Sequence, residues 1–201
     1  MKLGILTDIH EHVDYLQTAL ARFRREQVDQ IVVIGDVFET GDQIDETCRL
    51  LGEAKVVGVW GNHDFGLCVD PHESTLAKYP ASVMDFMGTL RPRLELGGCH
   101  FMHVEPWLNP EDVADLWYFE GPPDSSEKLE RIFSSVPHRI MFAGHYHKWL
   151  LAKPDGIIEW AGECPILLDE GRYFLSVGAV CEGRFALFDT DTSKLIPFNE
   201  A

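Results

Sequence analysis

Three short apolar runs alternate with two amphipathic stretches near the start of the chain, and this alternation constrains the fold more than any other feature. The runs are KLGIL, QIVVI and KVVGVW, and the stretches between them are VDYLQTALARFRRE and QIDETCRLLGEA. Both stretches carry apolar residues at helical spacing. Continuous apolar runs are typical of parallel strands that are buried on both faces. The order strand, helix, strand, helix, strand therefore predicts a layered α/β beginning.

The remainder of the chain is predicted to be richer in strands. A helix-and-loop segment, STLAKYPASVMDFMGTL, precedes two short strands in RLELGGCHFMH. The segment DSSEKLERIFSSV is predicted to be a helix with Asp124 and Glu127 as its capping pair. The strand RIMFAGHYH follows, and RYFLSVGAVCEGRFALFDTDTSKLIPF adds further strands and turns. Since no repeat or linker divides the sequence, we expect one domain over residues 1–201.

Composition and charge exclude several classes of protein. A net charge of −16 argues against non-specific binding to duplex nucleic acid. The first apolar run is interrupted by Asp8 and is too short for a signal peptide or a membrane span, so we expect a cytoplasmic protein with no membrane partner. The five cysteines are scattered without a C-x-x-C pair, which argues against both a disulfide framework and a thiolate zinc site.

Carboxylate, amide and imidazole side chains follow directly on the apolar strands. GILTDIH ends in Asp8 and His10, IVVIGD in Asp36, VVGVWGNHD in Asn62, His63 and Asp64, and IMFAGHYH in His145 and His147. Ligands of open α/β sheets bind beyond the carboxyl ends of the strands, so we expect these side chains to converge there. If the last strand continues through GHYH, its two histidines share one face, since alternate side chains of a strand do so.

The donor types point to a metal centre. Oxygen and imidazole donors without thiolate suit Mn²⁺, Fe or Zn²⁺ in a catalytic rather than a structural site. These strand-end side chains are more numerous than the ligands of one cation. Two cations about 3.5–4 Å apart that share one carboxylate could be bound by all of them. Asp36 is the natural candidate for the shared carboxylate.

These motifs, in this order, resemble those of the calcineurin-like metallophosphoesterases. The matching letters are TDIH, the GD at 35–36, GNHD at 61–64, a later histidine and GHYH at 144–147. The branch that the chain resembles is that of the small bacterial and archaeal phosphodiesterases. The resemblance implies an α/β (α+β) sandwich in which two mixed β-sheets pack face to face and helices flank them, giving four layers.

The resemblance also implies roles for single residues. One metal would be held by Asp8, His10, Asp36 and His147, and the other by Asp36, Asn62, His103 and His145. His63 would donate a proton to the leaving oxygen while Asp64 orients its ring, and Asn62 and His63 would contact the substrate. A hydroxide shared by the two cations would attack the phosphorus in line. Mn²⁺ is the first expectation for the metal, with Fe, Zn²⁺ and Ni²⁺ as alternatives.

Four histidines are candidates for the ligand between GNHD and GHYH: His72, His100, His103 and His138. We choose His103 because it stands near the carboxyl end of the apolar strand CHFMH. His100, three residues earlier, would point to the other face of the sheet. Val104 follows His103 where the family usually has glycine.

The absence of one arginine favours a phosphodiester over a phosphomonoester as the substrate. Thr40 stands where protein phosphatases of this superfamily carry an arginine, and without that guanidinium a doubly charged phosphomonoester loses a bidentate partner. A small phosphodiester, for example of a nucleotide, is therefore favoured over a phosphomonoesterase or protein phosphatase activity. A non-catalytic protein-interaction scaffold is a further alternative, but it would be expected to lack some motif residues. The aromatic segment LWYFEGPP fits either core packing or a substrate wall.

Overall fold

The computed structural model describes residues 1–168 and 170–200, and twelve strands occur within them. In chain order these are β1 (Lys2–Leu6), β2 (Gln30–Ile34), β3 (Val57–Val59), β4 (Leu94–Leu96), β5 (Cys99–Met102), β6 (Ile140–Ala143), β7 (Leu150–Lys153), β8 (Gly156–Ile158), β9 (Ile166–Leu167), β10 (Tyr173–Ser176), β11 (Arg184–Asp189) and β12 (Lys194–Asn199). The helices are α1 (Val13–Glu26), α2 (Ile44–Glu53), α3 (Phe65–Cys68), α4 (Glu73–Lys78), α5 (Ala81–Met87), α6 (Val113–Leu116) and α7 (Ser126–Ser135), and Val180–Glu182 form a 3₁₀ turn.

The strands form two mixed sheets of six. The first has the order β3-β2-β1-β11-β12-β9, and the second has the order β4-β5-β6-β10-β7-β8. In the first sheet β1, β2 and β3 are parallel, while β11 joins β1 in the antiparallel direction. In the second sheet β5, β6 and β10 are parallel. The polar residues identified in the sequence follow the carboxyl ends of these parallel strands.

The two sheets pack face to face and helices cover both outer faces. Between the sheets, Ile5 and Val32 of the first sheet lie in one buried cluster with Phe142 of the second. The outer face of the first sheet is covered by α1, α2 and α5, and that of the second by α7, where Ile132 joins the apolar cluster. The expected four-layer sandwich is confirmed. No helix in residues 1–168 or 170–200 is both long and apolar enough to span a membrane.

Two local expectations differ from the structure. The strand β6 ends at Ala143, so His145 and His147 do not alternate along a strand; both have a left-handed backbone, with φ values of 70° and 52°. The cap of α7 is Ser125, whose hydroxyl accepts the Lys128 backbone N–H. The predicted capping residue, Asp124, instead faces the Lys128 ammonium group at 3.4 Å.

Candidate active site

A cleft of about 510 Å³ lies at the rim of the sandwich where parallel strands of both sheets end. Strands β1, β2 and β3 deliver side chains from the first sheet, and β5 and β6 deliver them from the second. The cleft is lined by His10, His12, Asp36, Glu39, Asn62, His63, Trp117, His145, His147 and Cys181. Among these described residues there is no lysine or arginine. The basic side chains of this lining are its histidines, and contact with the Asp8 carboxylate raises the pKa of His147 to about 10.

The backbone at this rim is held in an unfavourable conformation. Five of the polar residues have a positive φ: Asp8 (50°), His10 (44°), Asp36 (53°), His145 (70°) and His147 (52°). Left-handed backbone at a non-glycine residue costs on the order of 1 kcal/mol and persists only where surrounding contacts impose it. Here the backbone N–H of Asp8 donates to the carbonyl of Gly35, and that of His10 donates to the carbonyl of Asp36. Such concentrated strain is typical of a functional site.

The first cluster of donor atoms contains Asp8, His10 and His147. The Nε2 atoms of the two histidines are 3.3 Å apart, and Nε2 of His147 is 3.2 Å from Oδ1 of Asp8. Asp8 is fully buried, and its Oδ1 accepts no hydrogen bond. Its other oxygen, Oδ2, accepts the backbone N–H of His145 and lies 2.6 Å from the Thr7 hydroxyl. One carboxylate oxygen is thus held in place while the other faces the two imidazoles.

The second cluster contains Asp36, Asn62, His103 and His145. Oδ1 of Asn62 lies 3.0 Å from Nε2 of His103 and 3.1 Å from Nδ1 of His145, and Nε2 of His103 is 3.3 Å from Oδ2 of Asp36. Nδ1 of His103 lies 2.7 Å from the carbonyl oxygen of Ile34, a contact that directs Nε2 towards the cluster. Burial lowers the pKa of His103, but the Asp36 carboxylate more than offsets this and raises it to about 9.

Asp36 belongs to the second cluster and also faces the first. Its Oδ2 is 3.3 Å from Nε2 of His103 and 3.7 Å from Nε2 of His10. One oxygen of Asp36 thus lies near donor atoms of both clusters, and Asp8 Oδ1 and His145 Nε2 are buried without hydrogen-bond partners. Unpartnered buried donors and acceptors are costly unless an ion or another group satisfies them. Nitrogen and oxygen donors in this arrangement fit a pair of divalent cations.

Two motif glycines allow the backbone to approach these carboxylates. A Cβ atom on Gly61 would lie 2.1 Å from Oδ1 of Asp36, and one on Gly144 would lie 2.0 Å from the Thr7 hydroxyl oxygen. Both distances are far inside van der Waals contact. Any side chain at either position would push the donor groups apart.

His63 lies at the mouth of the cleft. Its side chain is 27% exposed, and Nδ1 is 3.4 Å from a carboxylate oxygen of Glu39. One ring nitrogen lies within 4.8 Å of donor atoms of His10 and Asp36. Its backbone N–H donates to Oδ1 of Asp36. The ring is therefore beside the donor clusters but remains accessible to a bound molecule.

Asp64 has a different environment from the one expected. Rather than facing the His63 ring, its Oδ1 accepts the backbone N–H groups of Val37 and Phe38, and its Oδ2 accepts that of Gly61. Burial, together with the charge of Asp36, raises the pKa of Asp64 to about 6. The side chain thus fixes the loops that follow β2 and β3.

Glu11 and Glu39 are functional candidates that the sequence patterns did not reveal. Oε1 of Glu11 accepts the backbone N–H groups of Glu39 and Gly41, and Oε2 accepts that of Gln43. Glu39, positioned in this way, places Oε2 2.7 Å from Nδ1 of His10. A carboxylate on the far nitrogen of a metal-binding histidine commonly fixes the ring orientation. No motif spacing marks either residue; only the position of Glu11 directly after His10 was a signal.

Glu11→Ala is expected to lower the free energy of unfolding by about 2–4 kcal/mol, because three backbone donors lose a charged acceptor. Urea denaturation of the metal-free protein measures the change. Glu11→Gln keeps one acceptor oxygen and should lose less, while Glu130→Ala, at an exposed position on α7, should change stability little. A Glu11→Ala protein as stable as the native chain would contradict this role.

The aromatic side chains after α6 do not pack in the core, since Trp117, Tyr118 and Phe119 are all exposed. Tyr118 packs edge-on against Trp107, with ring centroids 5.5 Å apart. Trp117 lies 5.1 Å from the His63 ring and Phe119 lies 5.4 Å from the His145 ring, although these side chains are 55% and 59% exposed. Two exposed aromatic rings therefore stand at the edge of the cleft.

The other candidate histidines lie elsewhere. His72 is exposed and caps α4, while His100 and His138 stack on each other near Glu95. Of the four candidates, only His103 is brought to the two donor clusters among the described residues. Thr40, at the position of the missing arginine, is exposed and donates to Asp42.

Comparison with known proteins gives a consistent result. The model of the calcineurin-like phosphoesterase superfamily domain matches residues 1–193. A metallophosphoesterase structure from Sphaerobacter thermophilus is similar with a TM-score of 0.79 and 21% identity, covering 99% of this chain and 87% of that one. The structure of an archaeal phosphodiesterase is similar with a TM-score of 0.56 and 17% identity, covering 98% of each chain. An uncharacterized protein of Methanocaldococcus jannaschii is 22% identical over 209 residues, which is 96% of this chain and 84% of that protein.

Proposed function

The chain belongs to the calcineurin-like phosphoesterase superfamily, and from that premise we propose that it is a dimetal-dependent phosphodiesterase acting on small phosphate esters. The observation that carries the proposal is that Oδ2 of Asp36 lies near donor atoms of both clusters, His10 of the first and His103 of the second, at a cleft whose described lining has no lysine or arginine. Bound cations at these clusters would neutralise the charge of a phosphate ester.

The residues divide between two metal positions. Asp8, His10, Asp36 and His147 would hold one cation, and Asp36, Asn62, His103 and His145 would hold the other. When bound, the cations supply Lewis-acid polarisation of the phosphoryl group and a water of lowered pKa. Mn²⁺ is our proposed ion because the donors are oxygen and imidazole nitrogen without thiolate, and Fe, Zn²⁺ and Ni²⁺ are alternatives.

His63 is the proposed proton donor. Its ring is accessible at the cleft, and its Nδ1 lies 3.4 Å from the Glu39 carboxylate, which would hold the ring in position for the transfer. The proton would go from the ring to the oxygen of the departing alcohol. Asn62, beside it, would help to hold a phosphoryl oxygen. Asp64 positions this segment through the backbone.

A diester is favoured because it carries one negative charge where a monoester carries up to two. The cleft lining offers no guanidinium or ammonium group for the second charge, and Thr40 is turned towards Asp42. The archaeal structure of similar fold, described as a phosphodiesterase, agrees with this preference. A nucleotide is a candidate substrate because a base could stack on the aromatic rings at the cleft edge.

The preference is tested with an activated aryl diester and the corresponding monoester after chelation and addition of Mn²⁺. We expect kcat/KM to be at least about 10-fold higher for the diester, a difference of about 1.4 kcal/mol. Faster turnover of the monoester would overturn the diester preference. Absence of hydrolysis of both esters with each of the four metals would overturn the proposed function.

Trp117→Ala is expected to raise KM for an aryl diester about 5- to 10-fold with little change in kcat, since aromatic stacking contributes about 1 kcal/mol of binding. Steady-state kinetics measures both constants. Tyr118→Ala is the matched control, because Tyr118 packs on Trp107 and does not line the cleft. Equal KM values for the two variants would argue against stacking on Trp117.

A further inference from the structure

A second histidine–carboxylate cluster lies at the edge of the second sheet. Glu95 on the edge strand β4 pairs across the ladder with His100 on β5, and His138 stands just before β6. One donor atom from each of the three residues lies within 4.8 Å of the others. None of them lines the cleft at the rim. The three residues are referred to below as the edge cluster.

The edge cluster contains a buried side chain without partners. His100 is 3% exposed, and neither of its ring nitrogens has a hydrogen-bond partner. Nδ1 of His138 is also buried without a partner. Native proteins rarely leave buried polar atoms unsatisfied, and a bound ion is one way in which such atoms are satisfied. The carboxylate oxygen Oε1 of Glu95 lies 3.1 Å from Nε2 of His138 and 4.0 Å from Nδ1 of His100.

The spacing fits a metal ion better than it fits hydrogen bonds alone. Two ligands at about 2.1 Å from a tetrahedral Zn²⁺ are ~3.4 Å apart. The distances from Glu95 to the two histidines, 3.1 and 4.0 Å, bracket that value. The second exceeds the range of a hydrogen bond. Binding of one ion by all three donors therefore requires the partly exposed His138 ring and the exposed Glu95 side chain to rotate towards His100.

The charge state of His100 also suits a ligand. Burial lowers its pKa to about 4, and the neighbouring His138 ring and Arg93 act in the same direction. The ring is thus neutral near pH 7 and keeps a lone pair for a metal. The two imidazole rings are stacked at a centroid distance of 4.5 Å, and since the nitrogen lone pairs lie in the ring planes, one ring must rotate out of the stack for both to bind one ion.

The backbone holds the edge cluster in place. His100 is fixed in the ladder between Glu95 of β4 and Met141 of β6. The guanidinium of Arg172 donates through Nε to the carbonyl of His138 and through its other nitrogens to carbonyls at the end of α7. The backbone of His100 and His138 is therefore held in place by hydrogen bonds. Glu95 is exposed to solvent, so an ion can reach the cluster from its side.

We propose that Glu95, His100 and His138 bind a divalent transition-metal ion, with Zn²⁺ as the best match, at a site distinct from the rim. Two imidazoles and one carboxylate form a known zinc ligand set, and water can complete the coordination on the exposed side of Glu95. The ion would join the edge strand β4 to β5 and to the segment that leads into β6. This proposal does not depend on the proposed hydrolase activity.

The test is a zinc titration of the chelated full chain against a colorimetric chelator. We expect three equivalents to bind to the native chain and two to bind to Glu95→Gln and to His138→Asn. His72→Asn, which changes an exposed histidine at the start of α4, is the matched control and should bind three. Both test variants change partly exposed side chains, so folding should persist, and circular dichroism checks it.

A second measurement locates the ion. In native protein with ¹⁵N-labelled histidine, Zn²⁺ should shift the ring resonances of His100 and His138, and the His100 shift should be lost or reduced in Glu95→Gln. Equal stoichiometry in the native chain and both test variants would overturn the proposal. Unmoved His100 and His138 resonances would also overturn it and leave only a Glu95–His138 ion pair.

Discussion

Asp36→Asn is expected to reduce kcat for an aryl diester by at least about 10³-fold, equivalent to about 4 kcal/mol of transition-state stabilisation. The reason is geometric. Oδ2 of Asp36 faces donors of both clusters, while Oδ1 accepts the backbone N–H of His63. Asparagine preserves the shape but removes the charge that two cations would share. Bound Mn²⁺, measured by elemental analysis after gel filtration, should fall together with the rate.

Asp42→Asn is the control for this experiment. Asp42 is an exposed carboxylate of the same loop, and it accepts a hydrogen bond from the Thr40 hydroxyl. The same chemical change there should leave the metal content and the rate near native values. If Asp36→Asn also retained a native rate, Asp36 could not be the shared ligand and the assignment of the rim would fail.

His63→Ala is expected to reduce kcat by about 10²- to 10⁴-fold while the metal content stays native, as for the loss of a general acid. The size of the loss should depend on the leaving group. An alkoxide needs a proton as it departs, whereas a nitrophenolate leaves without one. The ratio of native to variant kcat should therefore be much larger for a methyl leaving group than for a nitrophenyl one.

The leaving-group comparison separates proton donation from binding. A His63 that only held the substrate would give equal losses with both leaving groups, and this result would contradict the assignment. His72→Ala serves as the control because that histidine is exposed at the start of α4, away from the donor clusters. A loss of metal in His63→Ala would instead make His63 a ligand.

Sequence predicted the strands and the positions of the donors well because both depend on local patterns. The run IVVI must be buried, and Asp36, which follows it, must then stand at the end of a strand. The same reasoning placed His103 after β5. It could not predict where β6 ends, since the left-handed backbone of His145 is imposed by contacts from distant segments, including Asp8.

The missed features depend on tertiary contacts as well. Glu11 looked like an ordinary residue near the start of a helix, and its three backbone partners lie 28 to 32 positions along the chain. Asp64 was expected to contact the ring beside it, but its partners include backbone N–H groups of the loop after β2. The edge cluster likewise joins residues that no short motif connects.

The two donor clusters draw on both sheets of the sandwich. Asp8, Asp36 and Asn62 follow strands of the first sheet, whereas His103, His145 and His147 follow strands of the second. An ion bound by either cluster would therefore link the end of the first sheet to the end of the second. The two sheets could separate at this end only after the ion had dissociated. The same donor atoms would therefore stabilise the folded protein and support the hydrolysis of the substrate.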